Sequence, residues 1–387
     1  MKASHDPGQP AALALLSLIG ADAKIEPSLW HEVQALAASH RVEPYLHARH
    51  GRGLIAQANP PEPVVREWAA AYRQCTLENL TKRRAAILMA RRLAGEGIPC
   101  LVMKGGWLAE FAYAAPGERA MRDIDLMIPL GHALDAYRTL LAEGWSGPDC
   151  TADRFDPILA AEAHLPPLVS PEGIVCELHV RPWASRPGLP SNFAGAMWER
   201  AHTDAGHPVL SYPAATDTLL HLCVHAAYVH RFDNGPVLVA DIAQTVRTHP
   251  IDWTLLNAEA DRIGATPGLV LCLALAKRWT DADIDLPVET PPDVLHAASG
   301  LMAGRVEGRA EAAGLSDLVT GLRSGSHGFA HTLRRRIRRD VRDQVYEDSS
   351  PLRLPRRAIA FGEALAKPRV RRDAVHLAQL QRFLRQP

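Results

Sequence analysis

The sequence predicts an α/β (α+β) fold in which a small strand-bearing unit sits between two helical regions. Three observations point to it. Apolar side chains recur at helical spacing through the first hundred residues; at Gly97 the texture changes to short apolar runs broken by glycine and proline; and from Thr216 the helical period returns. A chain of 387 residues is long enough for two or three such regions. The boundaries read from the texture are a helical region over 1–96, an α/β core over 97–185, a helical region over 213–330 and a basic segment over 331–387.

In the first region Trp30, Val33, Leu36 and Ala37 fall on one helical face. Residues 64–93 form a long Ala/Arg-rich helix, with Pro60, Pro61 and Pro63 breaking the chain before it. Residues 98–103 are a short apolar strand, Lys104-Gly105-Gly106 a turn, and residues 107–113 a return to helical spacing. After the Pro116-Gly117 turn, residues 123–128 alternate polar and apolar until Pro129 stops them, which reads as a second strand. Residues 134–141 make a helix that Gly144 ends, and residues 174–180 read as a third strand. Further on, Leu219, Leu220, Leu222, Cys223, Ala226 and Ala227 share a broad apolar face, followed by helices over 237–246, 253–263 and 269–279. The basic segment sets Leu333, Ile337, Val341 and Val345 at four-residue spacing among arginines, an amphipathic helix that wants a partner.

Composition narrows the function classes. With 47% hydrophobic and 22% charged residues the chain is an ordinary soluble globular protein. Forty-three basic residues balance forty-three acidic ones, so no bulk charge draws it to nucleic acid or an anionic membrane. Residues 331–387 nevertheless hold fifteen Lys and Arg against six Asp and Glu. The economical reading is a basic helix docked on an acidic body. Tyr346, Phe361 and Phe383 are the only aromatics in that segment, too few for base stacking, and nucleic acid is not an expected partner. Six cysteines stand far apart with no CxxC pair, which suits a reduced, cytoplasmic protein. The longest apolar run, residues 269–276, falls far short of the ~20 residues a membrane span requires. Residues 11–21 are apolar, but Lys2 is the one firm positive charge before them, which argues against a signal peptide.

The chemistry concentrates in the α/β core. Asp123 and Asp125 lie two apart on a strand and therefore present both carboxylates on one face. Like charges held that close call for a cation, and a hard ion such as Mg²⁺ prefers carboxylate oxygen. In the third strand Glu177 and His179 alternate with Cys176 and Leu178, so a carboxylate protrudes opposite an apolar face. If the two strands are neighbours, Glu177 is the third acid of a metal site for phosphoryl displacement; the alternative is an edge glutamate facing water. Gly105 and Gly106 permit close backbone approach to a phosphate at a helix start, and Lys104 adds a charge there, although the spacing is not that of a P-loop.

Taken in order, Lys104-Gly105-Gly106, Arg119-x-x-x-Asp123-x-Asp125 and Glu177-Leu178-His179 resemble the uncharacterised nucleotidyltransferase family of the polymerase-beta-like superfamily. Trp30 with His40-Arg41-Val42-x-Pro44, then His221-Leu222-x-x-His225, Asp241-Ile242-Ala243 and Asp252-Trp253, extend the resemblance over roughly residues 25–280. It implies a mixed sheet flanked by helices, Asp123, Asp125 and Glu177 as catalytic and metal-binding acids, and Mg²⁺ with ATP or another nucleoside triphosphate as donor. Lys104, Gly105, Gly106 and Arg119 are then expected on the donor, and the acceptor stays open, with peptides and small natural products as the candidates.

Two rival readings follow from other residues. His221 and His225, four apart on a helix with Asp241 available to join them, would suit a metal-dependent phosphohydrolase. The other is a catalytically inactive core used as a binding scaffold, against which the three acids argue.

Overall fold

A computed structural model describes residues 8–385 except 150, 185–188, 190–191, 205, 287, 306–308, 324–361 and 364–365. The chain opens with α1 (Gly8–Gly20), whose Ala11, Leu15, Leu16, Leu18 and Ile19 are all buried. A helix apolar on most of its surface belongs inside, and α1 packs on α2 (Trp30–Ser39) and on helices from the far end of the chain. α3 (Glu43–Gly51) carries Pro44 in its first turn, and α4 (Glu62–Gly95) carries Pro63 there, where a missing N–H costs nothing. α4 buries Val64, Trp68, Cys75, Asn79, Ala86, Met89, Ala90 and Leu93, a stripe that holds its 34 residues on the body.

The α/β unit follows: β1 (Leu101–Val102), α5 (Lys104–Phe111), β2 (Ile124–Met127), α6 (Ala133–Ala142), α7 (Ala152–Ala161), β3 (Leu168–Val169), β4 (Val175–His179), α8 (Ala194–Glu199), β5 (His202–Thr203) and β6 (Ser211–Tyr212). The strands form one mixed sheet in the order β3-β4-β2-β1-β6-β5. β2 runs parallel to β4 and β1 parallel to β6, and the other neighbours are antiparallel.

The structure corrects two expectations here. The sheet does not end at residue 185 but takes β5 and β6 from residues 202–212, strands of two residues each that leave no alternation to read. Lys104-Gly105-Gly106 is not a turn ahead of the helix but the first turn of α5 itself, with the Gly106 N–H donating to the Met103 carbonyl at 3.1 Å. A Cβ on Gly106 would lie 2.5 Å from Val102 Cγ1, so this glycine serves close packing of α5 on β1.

The second helical region begins with α9 (Ala215–Val224), which runs into a π-helical turn over His225–Val229. α10 (Val237–Thr248), α11 (Trp253–Arg262), α12 (Thr266–Trp279), α13 (Pro292–Ala303), α14 (Arg309–Arg323) and α15 (Pro368–Leu384) follow. Asp252 caps α11 by accepting from the Leu255 N–H at 2.9 Å. Every residue of α12 from Gly268 to Ala276 is buried, and α1, α9, α10, α11 and α13 pack around it. α15 buries Val370, Ala374, Leu377 and Leu380 against α13 and α14, so the end of the basic segment docks on the body. The stripe Leu333, Ile337, Val341 and Val345 lies outside the described residues.

The two helical regions meet at Gly20, where an added Cβ would stand 1.7 Å from the Trp279 carbonyl oxygen. Backbone cannot yield as a side chain can, so Gly20→Ala is expected to part α1 from the end of α12. The loss should reach at least about 2 kcal/mol in urea unfolding.

Candidate active site

The register of the central strand pair sets Asp125 directly opposite Glu177. Alternation sends Leu126 and Leu178 into the core, where both are fully buried, and leaves the carboxylates on the other face with His179. One ligand atom each from Asp125, Glu177 and His179 lies within 4.8 Å of the others. Asp123 precedes β2 by one residue and is half-buried at the mouth of this cluster. Among the described residues, His179 and not Asp123 completes the tight group.

A cation is already lodged there. The Met103 N–H donates to the Asp125 carbonyl at 3.0 Å, which staples the β1–α5 corner to β2. Lys104 then adopts a left-handed φ of 47°, a conformation costly for a side-chain-bearing residue. It reaches Asp125 with Nζ···Oδ1 of 2.7 Å, and Nζ lies 3.3 Å from His179 Nε2. His179 Nε2 is 2.9 Å from the same Asp125 oxygen and 3.5 Å from Glu177 Oε2. An ionised carboxylate only accepts, so His179 donates its Nε2–H to Asp125 and fixes its orientation. His164 Nε2 stands 3.6 Å from Glu177 Oε2, brought there by a bridge between residues 164 and 179.

These contacts separate the acids electrostatically. Burial pushes Asp125 up, but the Lys104 ammonium and the His179 hydrogen bond outweigh it and hold its carboxyl well below the usual range. Burial likewise opposes ionisation of Glu177, yet His179 and His164 bring it down to about 2. At Asp123 burial and then the charge of Asp125 outweigh the pull of Lys104 and His179, and its carboxyl is pushed up to about 6. Three carboxylates thus stand near one ammonium, an excess of negative charge that a further cation would offset.

The approach to β2 is clamped from both helical regions. Asn79 on α4 donates Nδ2–H to the carbonyls of Pro116 (2.6 Å) and Arg119 (2.7 Å). Arg52, just after α3, pairs with the buried Glu118. Arg119 grips Asp241 of α10 with two hydrogen bonds (Nε–Oδ1 2.9 Å, Nη2–Oδ2 2.8 Å), and the Tyr113 hydroxyl donates to the same carboxylate at 2.7 Å. Its third nitrogen donates to the Ala120 carbonyl. The guanidinium fork expected on the donor therefore already holds a carboxylate, and Arg119 ties the sheet to the second helical region.

Three further histidines stand along the other wall. His221 and His225 have ring centroids 5.5 Å apart, and His225 and His230 4.4 Å. Burial and then the positive charge of Lys104 push all three down, His221 to about 3. Burial and the Lys104 charge thus both oppose protonation of these imidazoles. His221 Nε2 is buried with no hydrogen-bond partner. The wall ends in a strained corner, with Arg231 and Phe232 both left-handed at φ 51° and 64°. The second metal site drawn from His221, His225 and Asp241 is not formed, because Asp241 belongs to Arg119 and Tyr113.

A mixed sheet that brings two carboxylates abreast on parallel strands, beside a lysine at a strand-to-helix corner, is the core of a nucleotidyltransferase. The chain belongs to the family described as uncharacterised nucleotidyltransferase, whose sequence profile matches residues 26–281, from before α2 to the end of α12. No curated protein matches it significantly. Membership supports nucleotidyl transfer as the general role and a nucleoside triphosphate as the class of substrate. No helix among the described residues is long and apolar enough to cross a membrane.

Proposed function

We propose that this protein is a Mg²⁺-dependent nucleotidyltransferase that moves a nucleotidyl group from ATP, or another nucleoside triphosphate, to a hydroxyl of a peptide or small natural product. The observation that carries this reading is the pairing of Asp125 with Glu177 across β2 and β4, with His179 reaching both carboxylates and the Lys104 ammonium held on Asp125. The donor set fits the metal: oxygens of Asp125 and Glu177, with Asp123 at the mouth, suit a hard divalent ion. When bound, Mg²⁺ neutralises triphosphate charge and makes the acceptor hydroxyl a better nucleophile.

The chain's own residues do the rest. His179 holds Asp125 in place, and Lys104 supplies an ammonium to phosphate oxygens at the start of α5. The neutral wall of His221, His225 and His230 offers hydrogen-bonding groups without adding charge. In the reaction the acceptor hydroxyl gives up its proton to solvent as its oxygen bonds the α-phosphorus, and pyrophosphate leaves with the electrons of the broken P–O bond. The free, buried Cys75, Cys100, Cys176, Cys223 and Cys272 suit a reducing compartment, and we place the protein in the cytoplasm.

Incubation with labelled ATP, GTP, CTP and UTP, Mg²⁺ and candidate acceptors should release pyrophosphate and add a nucleoside monophosphate mass to the acceptor. Addition of phosphate alone would make the enzyme a kinase and overturn the reading. Glu177→Gln should reduce kcat at least about a hundredfold by removing a metal-binding charge. Its melting temperature should fall only modestly, because the Glu177 side chain is one-fifth exposed and glutamine keeps its size and a side-chain oxygen that can accept hydrogen bonds.

A further inference from the structure

Away from the acid cluster, a cavity of ≈ 900 Å³ opens where the end of α1, the end of α3, α10 and the end of α12 converge. Four arginines line it, Arg49, Arg52, Arg247 and Arg278, against two carboxylates, Asp22 and Asp281. Arg52 pairs with Glu118 and Arg247 with Asp281. Asp22 is engaged with the Gln57 N–H at 2.8 Å. Arg49 and Arg278 have no carboxylate partner among the described residues.

Arg49 is the informative one. It is only 6% exposed, its Nε is buried without a hydrogen-bond partner, its Nη2 makes long bonds to the Ala21 (3.4 Å) and Leu54 (3.3 Å) carbonyls, and its guanidinium stands 6.0 Å from the Tyr45 ring centroid. A guanidinium taken out of water without a counter-charge is expensive, and a ring and two long carbonyl bonds are weak substitutes for one. Arg278 also lines the cavity, from the end of α12, with its guanidinium 5.5 Å from the Trp279 ring centroid. Gln244 and Tyr45, hydrogen-bonded to each other at 3.0 Å, add neutral polar groups between them. The volume is that of a small-ligand pocket, and planar arginine forks select carboxylate and phosphate.

We propose that this cleft binds a small, multiply charged oxyanion, a phosphate- or carboxylate-bearing metabolite, at a site separate from the acid cluster. Arg49 supplies the buried guanidinium and Arg278 the outer one. The proposal does not depend on nucleotidyl transfer.

The test is calorimetric titration of the full-length protein with tripolyphosphate and, separately, citrate, in EDTA so that the acid cluster repels anions. At least one should bind saturably at one site per chain, and the one that does names the chemistry. Arg278→Glu should weaken binding at least about tenfold, as should Arg49→Lys, which keeps the charge but loses the fork. Glu177→Gln should leave it within about twofold. Absence of binding by both anions overturns the proposal. Binding that Arg278→Glu leaves intact overturns it as well, by assigning the anion to another basic part of the chain. Arg278 is exposed, so its variant decides the matter even if Arg49→Lys does not fold.

Discussion

Asp125→Asn is expected to abolish nucleotidyl transfer, with turnover down at least about a thousandfold, and also to destabilise the protein. The first effect follows from removing the acid that every element of the site converges on. The second follows from what Asp125 does without metal: its carboxylate, 4% exposed, is the hydrogen-bonded partner of Lys104. An asparagine would leave that ammonium facing Glu177 and Asp123 without its nearest charge. The cost should be about 1–3 kcal/mol, below the penalty for a fully buried ion, because the Lys104 side chain keeps 18% exposure. Combining Asp125→Asn with Lys104→Met should recover most of the stability and none of the activity, measured by urea unfolding and pyrophosphate release. Turnover within tenfold of wild type in the single variant would remove Asp125 from the metal site.

The double variant also marks where sequence reasoning about this site stopped. Strand alternation was enough to put Glu177 and His179 on one face and Leu178 on the other, and the motif order was enough to expect the two strands side by side. Spacing alone placed Asp123 and Asp125 as equals on one strand. The strand begins at Ile124, so Asp125 is locked into the sheet register while Asp123 sits at the mouth under a different charge balance. A lysine before two glycines suggests a phosphate ligand, and nothing in that pattern reveals that a left-handed backbone also brings its ammonium onto Asp125. His164 carried no signal, since its approach to Glu177 depends on one isolated bridge between distant residues.

The helices were legible wherever a stripe was amphipathic, as in α4, α10 and α11. α1 and α12 are apolar on nearly every side, and such helices show a run where a surface helix shows a period; α12 is legible as a helix over 269–279 all the same, with its start three residues earlier at Thr266. The two-residue strands β5 and β6 were beyond any pattern. They exist because β1 offers a free edge, which β6 takes at Ser211 opposite Leu101. Long-range pairing of this kind is decided by the sheet, not by the local sequence.

Arg119 gives the other large effect, and its outcome separates positioning from donor binding. Asp241 is 2% exposed and holds Arg119 by two parallel hydrogen bonds, so Arg119→Met should cost about 3–5 kcal/mol by stranding a buried carboxylate that only Tyr113 then serves. Replacing the pair together, Arg119→Met with Asp241→Leu, removes both charges and should recover most of that loss. In the recovered protein kcat should fall, because the segment leading into Asp123 and Asp125 loses its anchor on α10, while the KM for the nucleoside triphosphate should stay within about threefold. A residue that gripped the triphosphate would give the opposite pattern: a donor KM raised tenfold or more that no change at Asp241 repairs. Rescue of stability with an unchanged donor KM therefore identifies Arg119 as the brace of the acid-bearing strand, and a persistent KM defect would return it to the donor site.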